Sequence, residues 1–250
     1  MNVSTQHQEI RIQDVITAEV TKIITHPIVM VALAITMIVN FGVAIIDAIG
    51  VSFYTDFNQD PATISDFGVV MFAPIYAFLI LPINAASSEY QHGQFRMTLL
   101  AIPNRQTLTI GKFIATIIVV LSAIIVVLVP PRLIIGVSDG LSVGDIIVDL
   151  SRWITVYLLM SLIAFGLAGL LRSTIAPLAI LIMIPILVGT GILQWPEGLR
   201  FLPDQASMSL LGTPAYNVTE LPSGIAFFTL LGWALVCVVT YWISLVRRDS

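Results

Sequence analysis

The strongest constraint on this chain is a series of uncharged or nearly uncharged runs, each close to the length of a bilayer crossing. Residues 27–49 hold one charged side chain, Asp47, and residues 175–193 and 224–246 hold none. About 20 apolar residues cross a hydrocarbon core of about 30 Å. Six runs meet that requirement: 27–49, 67–86, 109–129, 152–171, 175–193 and 224–246. The run from Ile117 to Val129 is almost wholly β-branched or leucine. In water it would read as a strand, but in lipid every backbone group needs an internal partner, and an isolated segment meets that need only as a helix. Charged residues make up 10% of the 250, against about 25% in soluble domains. Mean hydropathy is +0.97. The expected fold is an all-α integral membrane protein, one domain over residues 1–250 with six transmembrane helices and no sizeable soluble part.

The segments between the runs assign the sides. With the N-terminus in the cytoplasm, Arg11, Lys22, Arg96, Arg105, Lys112, Arg172, Arg247 and Arg248 lie inside, and Arg132, Arg152 and Arg200 outside. A bias of eight to three follows the positive-inside rule and places both termini in the cytoplasm of a multi-pass cell-membrane protein. Asp56, Asp60 and Asp66 fall in one external loop, and Asp139, Asp145 and Asp149 in a second, spanning 132–149. Pro130-Pro131 reads as the stop of the third span. Arg152, beside Trp153 at the start of the fourth span, either snorkels or pairs with Asp149. The loop 194–223 is the longest, and its segment FLPDQASMSLLGTP suits a short helix dipping back toward the membrane. Residues 10–25 form an amphipathic helix with Ile12, Ile16, Val20 and Ile23 on one face, lying in the interface. The first 26 residues lack the apolar core of a cleavable signal peptide. The single cysteine, Cys237, excludes an intrachain disulfide, and the net charge of −4 with scattered basic residues argues against nucleic acid as a partner.

One inter-span segment is richer than the rest. Ser87 to Lys112 reads SSEYQHGQFRMTLLAIPNRQTLTIGK, and three of its four charges are basic. Phe95, Leu99 and Ile102 fall at helical spacing, Gly93 permits a sharp turn, and Pro103 ends the helix. The chemistry fits either a plain cytoplasmic loop or a short basic helix held against the membrane, here set at 89–102.

The order Glu89, Gly93, Leu99, Leu100, Pro103, Arg105, Lys112 resembles the loop after the second span of ABC type-2 permeases, the membrane subunits of drug- and lantibiotic-type ABC exporters. Gln94 departs from the threonine usual after that glycine. The resemblance implies that 89–102 is a coupling helix docking on an ATP-hydrolysing partner, with Glu89, Gly93, Arg96, Leu99, Pro103, Arg105 and Lys112 as the coupling residues. It makes 10–25 an elbow helix and 194–223 a re-entrant external element. The implied assembly has two ABC ATPase subunits carrying Mg-ATP, a second permease identical or homologous to this one, and surrounding lipid. The family lines its pathway with the first, second and fifth spans, which makes Asn40, Phe72, Tyr76 and Met183 the substrate-path candidates; ordinary helix packing is the competing role for each. Cargo classes of the family include peptide antibiotics, hydrophobic drugs, lipids and sodium.

The sequence lacks a GxxxxGK[ST] phosphate-binding loop, and His7, His26 and His92 are isolated, so no catalytic, cofactor or metal site is expected in this chain. No span carries the paired carboxylates of an ion-coupled carrier. The expected function is the permease subunit of an ATP-driven exporter for a hydrophobic or amphipathic substrate. The alternative is a membrane scaffold or sensor subunit that transports nothing.

Overall fold

The computed structural model describes residues 11–53, 62–64, 67–93, 100, 105–193, 195–213 and 218–247. These are helical almost throughout. The first helix, α1 (Ile12–Thr25), meets α2 (Pro27–Ala48) at His26, whose extended backbone turns the chain. Pro27 sits at the first position of α2, where its missing N–H costs nothing. The second run is split into α3 (Gly68–Phe72), α4 (Pro74–Phe78) and α5 (Ile80–Ser87), and continues as a 3₁₀ turn over Ser88–Gly93. Pro74 opens one piece and Pro82 lies within the next, so each breaks the i→i−4 ladder of a single rod.

Next come α6 (Arg105–Val127), α7 (Val129–Ser138), α8 (Val143–Leu171) and α9 (Ala176–Gly189). The short α10 (Pro196–Leu199), α11 (Pro203–Leu211) and α12 (Ser223–Arg247) complete the chain. Among the described residues five helical stretches are long and apolar enough to cross a membrane: 27–48, 68–90, 106–138, 143–171 and 223–245. The fifth expected run contributes only α9, of 14 residues. At 1.5 Å per residue that is about 21 Å, short of the hydrocarbon thickness.

Helix α8 is the hub, packing against α12, α5, α9, α11, α6 and α7. Trp153, Tyr157, Ser161, Phe165 and Gly169 recur every fourth residue along it and so share a face. The first four are fully buried. Tyr157 meets Phe78 edge-on at 5.1 Å, and Phe165 meets Tyr241 at 5.4 Å. Against α12 the backbones approach closely. A Cβ on Gly166 would lie 2.5 Å from the carbonyl carbon of Cys237, and one on Gly169 would enter the Tyr241 ring.

Two expectations need correction here. Pro130-Pro131 does not end the third run, although α6 itself stops at Val127. After one turn residue, Leu128, the chain resumes helical dihedrals, and both prolines fall in the first turn of α7. The loop expected over 132–149 shrinks accordingly to Asp139–Ser142. Ser142 caps α8 by accepting from the Asp145 N–H at 3.2 Å, so α8 starts nine residues before Arg152. Asp149 pairs with Arg132 at 2.8 Å rather than with Arg152, and Arg132 also lies 4.3 Å over the Trp153 ring.

Candidate functional site

Of the expected apolar face of α1, Ile23 is buried and Ile16 and Val20 pack against the core. Val15, Glu19 and Ile23 are the helix's buried residues, one per turn, while Ile12 is exposed. Gly111 makes this possible. A side chain there would meet Val15 Cγ1 at 2.6 Å, so only glycine lets α1 lie this close to α6. The approach carries Glu19 inward toward the next residue on α6, Lys112.

There a buried cluster of two acids and two bases forms. Glu89, at the start of the 3₁₀ turn, accepts from Lys22 Nζ through Oε1 at 2.5 Å and from Lys112 Nζ through Oε2 at 2.6 Å. Glu19 lies 3.7 Å from Lys22 and 3.8 Å from Lys112. Glu89 is 2% exposed and Lys112 3%. Lys22 reaches water, its side chain being 33% exposed. The formal charges cancel. Buried ions are tolerated only when each is paired and hydrogen-bonded, and Glu89 meets that condition through both of its oxygens. One carboxylate therefore joins α1, the end of the second run and the start of the third.

Neighbouring contacts extend the joint. Asn84 Nδ2 of α5 lies 3.5 Å from Nε2 of His26, the residue at the α1–α2 corner. Tyr90, next to Glu89, interacts electrostatically with Tyr241 of α12 and lies under the Arg172 guanidinium at 5.4 Å. Arg172 adopts a left-handed conformation (φ 50°) to end α8, and Ser173 Oγ accepts from the Ala176 N–H to start α9. On one side of the bundle the ends of α1, α5, α6, α8 and α12 thus converge on the segment around Glu89.

Of the seven expected coupling residues, Glu89 and Lys112 are brought into direct contact. Gly93 ends the 3₁₀ turn, and Arg105 opens α6. Arg96, Leu99 and Pro103, with most of the expected helix 89–102, lie outside the described residues; Leu100 is exposed. The sequence did not reveal that Glu19 and Lys22 belong with Glu89. The signal was a charge, Glu19, sitting between Val15 and Ile23 on a face that must be buried.

The four substrate-path candidates sit in different surroundings. Asn40 Nδ2 donates to Val127 O on α6 at 3.3 Å. In an unbroken helix that carbonyl would accept from residue 131, which is proline. Asn40 satisfies a carbonyl that Pro131 leaves open, and this is a packing role. Phe72 and Tyr76 stack edge-on at 5.7 Å, with Phe72 fully buried. Met183 is half exposed. Two apolar cavities flank α2, and other residues line them. One, of about 410 Å³, lies against α6 between Met30, Met37, Val119 and Val126. The other, of about 260 Å³, lies between Ile28, Ile35 and Ile80. Among the described residues no group of His, Cys, Asp and Glu has the geometry to hold a metal ion. Compared with known proteins, the sequence matches no family model and no curated protein closely enough to establish a relationship.

Proposed function

We propose that this chain is the permease subunit of an ATP-driven exporter, powered by separate ATPase subunits that bind Mg-ATP and working beside a second permease. In this reading α9 completes a sixth crossing within the bundle, α1 lies in the cytoplasmic interface as an elbow, and both termini face the cytoplasm. The loop after the second run docks on the ATPase. The observation that carries the reading is the Glu89 cluster. A loop that must pass a push into the membrane needs a stiff joint to the helices behind it. Glu89 supplies one, being clamped by Lys22 on α1 and Lys112 on α6. A plain connecting loop has no need to bury two charges at that point, since burial costs several kcal/mol per ion before pairing, on the order given by transfer estimates.

Movement of the docked loop would rotate the second and third runs and α1 as a unit. The gap between the two permeases would then open alternately inward and outward for a hydrophobic or amphipathic substrate. The deciding experiment is affinity purification from membranes of the source cell, followed by reconstitution. Recovery of an ATPase whose turnover depends on this chain is expected, with Arg96→Ala or Gly93→Pro retaining hydrolysis but losing export. Purification without such a partner, or ATPase recovery without any transport, favours the scaffold or sensor alternative.

A further inference from the structure

At the end of the bundle opposite Glu89 lies α11. Eight of its nine residues are buried, so its polar side chains must find partners within the protein. Ser207 does, donating to the Pro203 carbonyl at 2.6 Å. Asp204 does so only in part. Its Oδ2 accepts from Gln205 Nε2 at 2.7 Å, while Oδ1 is buried with no hydrogen-bond partner. Asp204 is 3% exposed, and no described cation pairs with it. A carboxylate in such a place is only partly compensated, by Gln205 and the local backbone, whereas a carboxylic acid carries no charge to compensate.

The helix is also built as a strap. Its entry is held by Trp233 Nε1 donating to Phe201 O at 2.8 Å, and its exit by the Leu221 N–H donating to Ser209 Oγ at 3.3 Å. Gly212, at φ 71°, turns the chain out of it, and Thr213 beyond packs against Gly68 at the head of the second run. Ala206, Met208, Leu210 and Leu211 seat the segment in the apolar core, so it moves only as a unit, about Gly212, and only when something inside it disfavours the seated state.

We propose that α11 is a proton-latched strap, seated over the bundle while the Asp204 carboxyl is neutral and released when that carboxyl ionises. Burial pushes the Asp204 carboxyl above its ordinary range, with Gln205 and the local backbone opposing in part. Helix α9, which packs against α11, carries no titratable side chain. Those described on the other two neighbours are Asp145, Asp149, Arg152 and Tyr157 on α8 and Cys237 and Tyr241 on α12, and none of them contributes to the shift. The sign follows. An acid whose pKa is raised in the seated state favours that state below the ordinary carboxylate range. The advantage is lost as pH rises through the raised value.

The test follows hydrogen–deuterium exchange of residues 203–211 in the full-length protein in detergent, corrected for intrinsic rate. Within the titration window the opening equilibrium should shift by about tenfold per pH unit. Asp204→Asn, which keeps the shape and the Gln205 contact but cannot ionise, should abolish that slope. Maleimide labelling of Ser207→Cys in a Cys237→Ala background gives a second readout. The rate with Asp204, divided by the rate with Asn at the same pH, cancels the thiol's own titration. A ratio that rises with pH supports the latch. A flat ratio, or protection of 203–211 that does not change between pH 5 and 8 in the unaltered protein, overturns it.

Discussion

Replacing Glu89 with methionine removes the anion that two lysines share. Lys22 can swing into water, since a third of its side chain is already exposed, and its loss of partner costs little. Lys112 cannot, being 3% exposed, and its one remaining counter-charge is Glu19 at 3.8 Å, too long for a good hydrogen bond. The cost is therefore that of stranding one buried ammonium, about 3–5 kcal/mol. The chain carries its own reporter: Cys237 is the single cysteine and is buried, so a thiol-reactive dye in detergent reads global unfolding. Glu89→Met should lower the unfolding midpoint sharply and Lys22→Met much less. Glu89→Met with Lys112→Met should recover most of the loss, because an apolar pair of similar volume replaces an ion pair at little net cost, and Lys22 keeps Glu19 at 3.7 Å. The reasoning is wrong if Glu89→Met costs under about 1 kcal/mol, the range of exposed pairs. It is equally wrong if the double variant is no more stable than Glu89→Met alone, since the stranded charge would then not be the cause.

Two further outcomes follow from the packing. Gly166→Ala should destabilise by about 1–3 kcal/mol, because its Cβ meets backbone of α12 that cannot yield, whereas Gly42→Ala, with open space around it, should stabilise by about 0.5–1 kcal/mol; the same dye assay compares them. Asn40→Ala should cost about 0.5–2 kcal/mol by leaving Val127 O unpaired, and Pro131→Ala, which restores the helical donor, should shrink that cost in a double-mutant cycle.

The helices were legible in the sequence because lipid leaves the backbone one solution, and runs of the right length announce it. What misled was punctuation. Pro130 and Pro131 read as a stop, yet proline is tolerated in the first turn of a helix, and α7 begins there. Asp139, Asp145 and Asp149 read as one solvated loop, but Asp145 lies in the first turn of α8 beside its Ser142 cap, and Asp149 faces Arg132. For the candidate site, Glu89 and Lys112 were legible as members of one motif. Their contact with Lys22 was not, because 67 residues separate Lys22 from Glu89 and no local periodicity encodes that meeting. The substrate-path residues were the least legible, since an asparagine in a span has the same appearance whether it faces a pathway or completes a neighbour's broken ladder.

That last ambiguity bears on how α2 is held. Most of its surface is apolar and outward-facing, including Ile28, Val31, Ile35 and Ile38. In a bilayer such a surface gains little by choosing protein over lipid tails, because both are equally apolar. The position of α2 then depends on a few polar points: His26 against Asn84 at one end, Asn40 on Val127 O in the middle, and Asp47 with Ser138 Oγ at 3.5 Å at the other. The first joins it to α5, which leads directly into the turn that carries Glu89, and the other two join it to α6 and α7, the run that carries Lys112. Any displacement of the Glu89 joint therefore reaches α2 through both runs, by polar contacts that lipid cannot replace, and directly along the chain from α1 through His26.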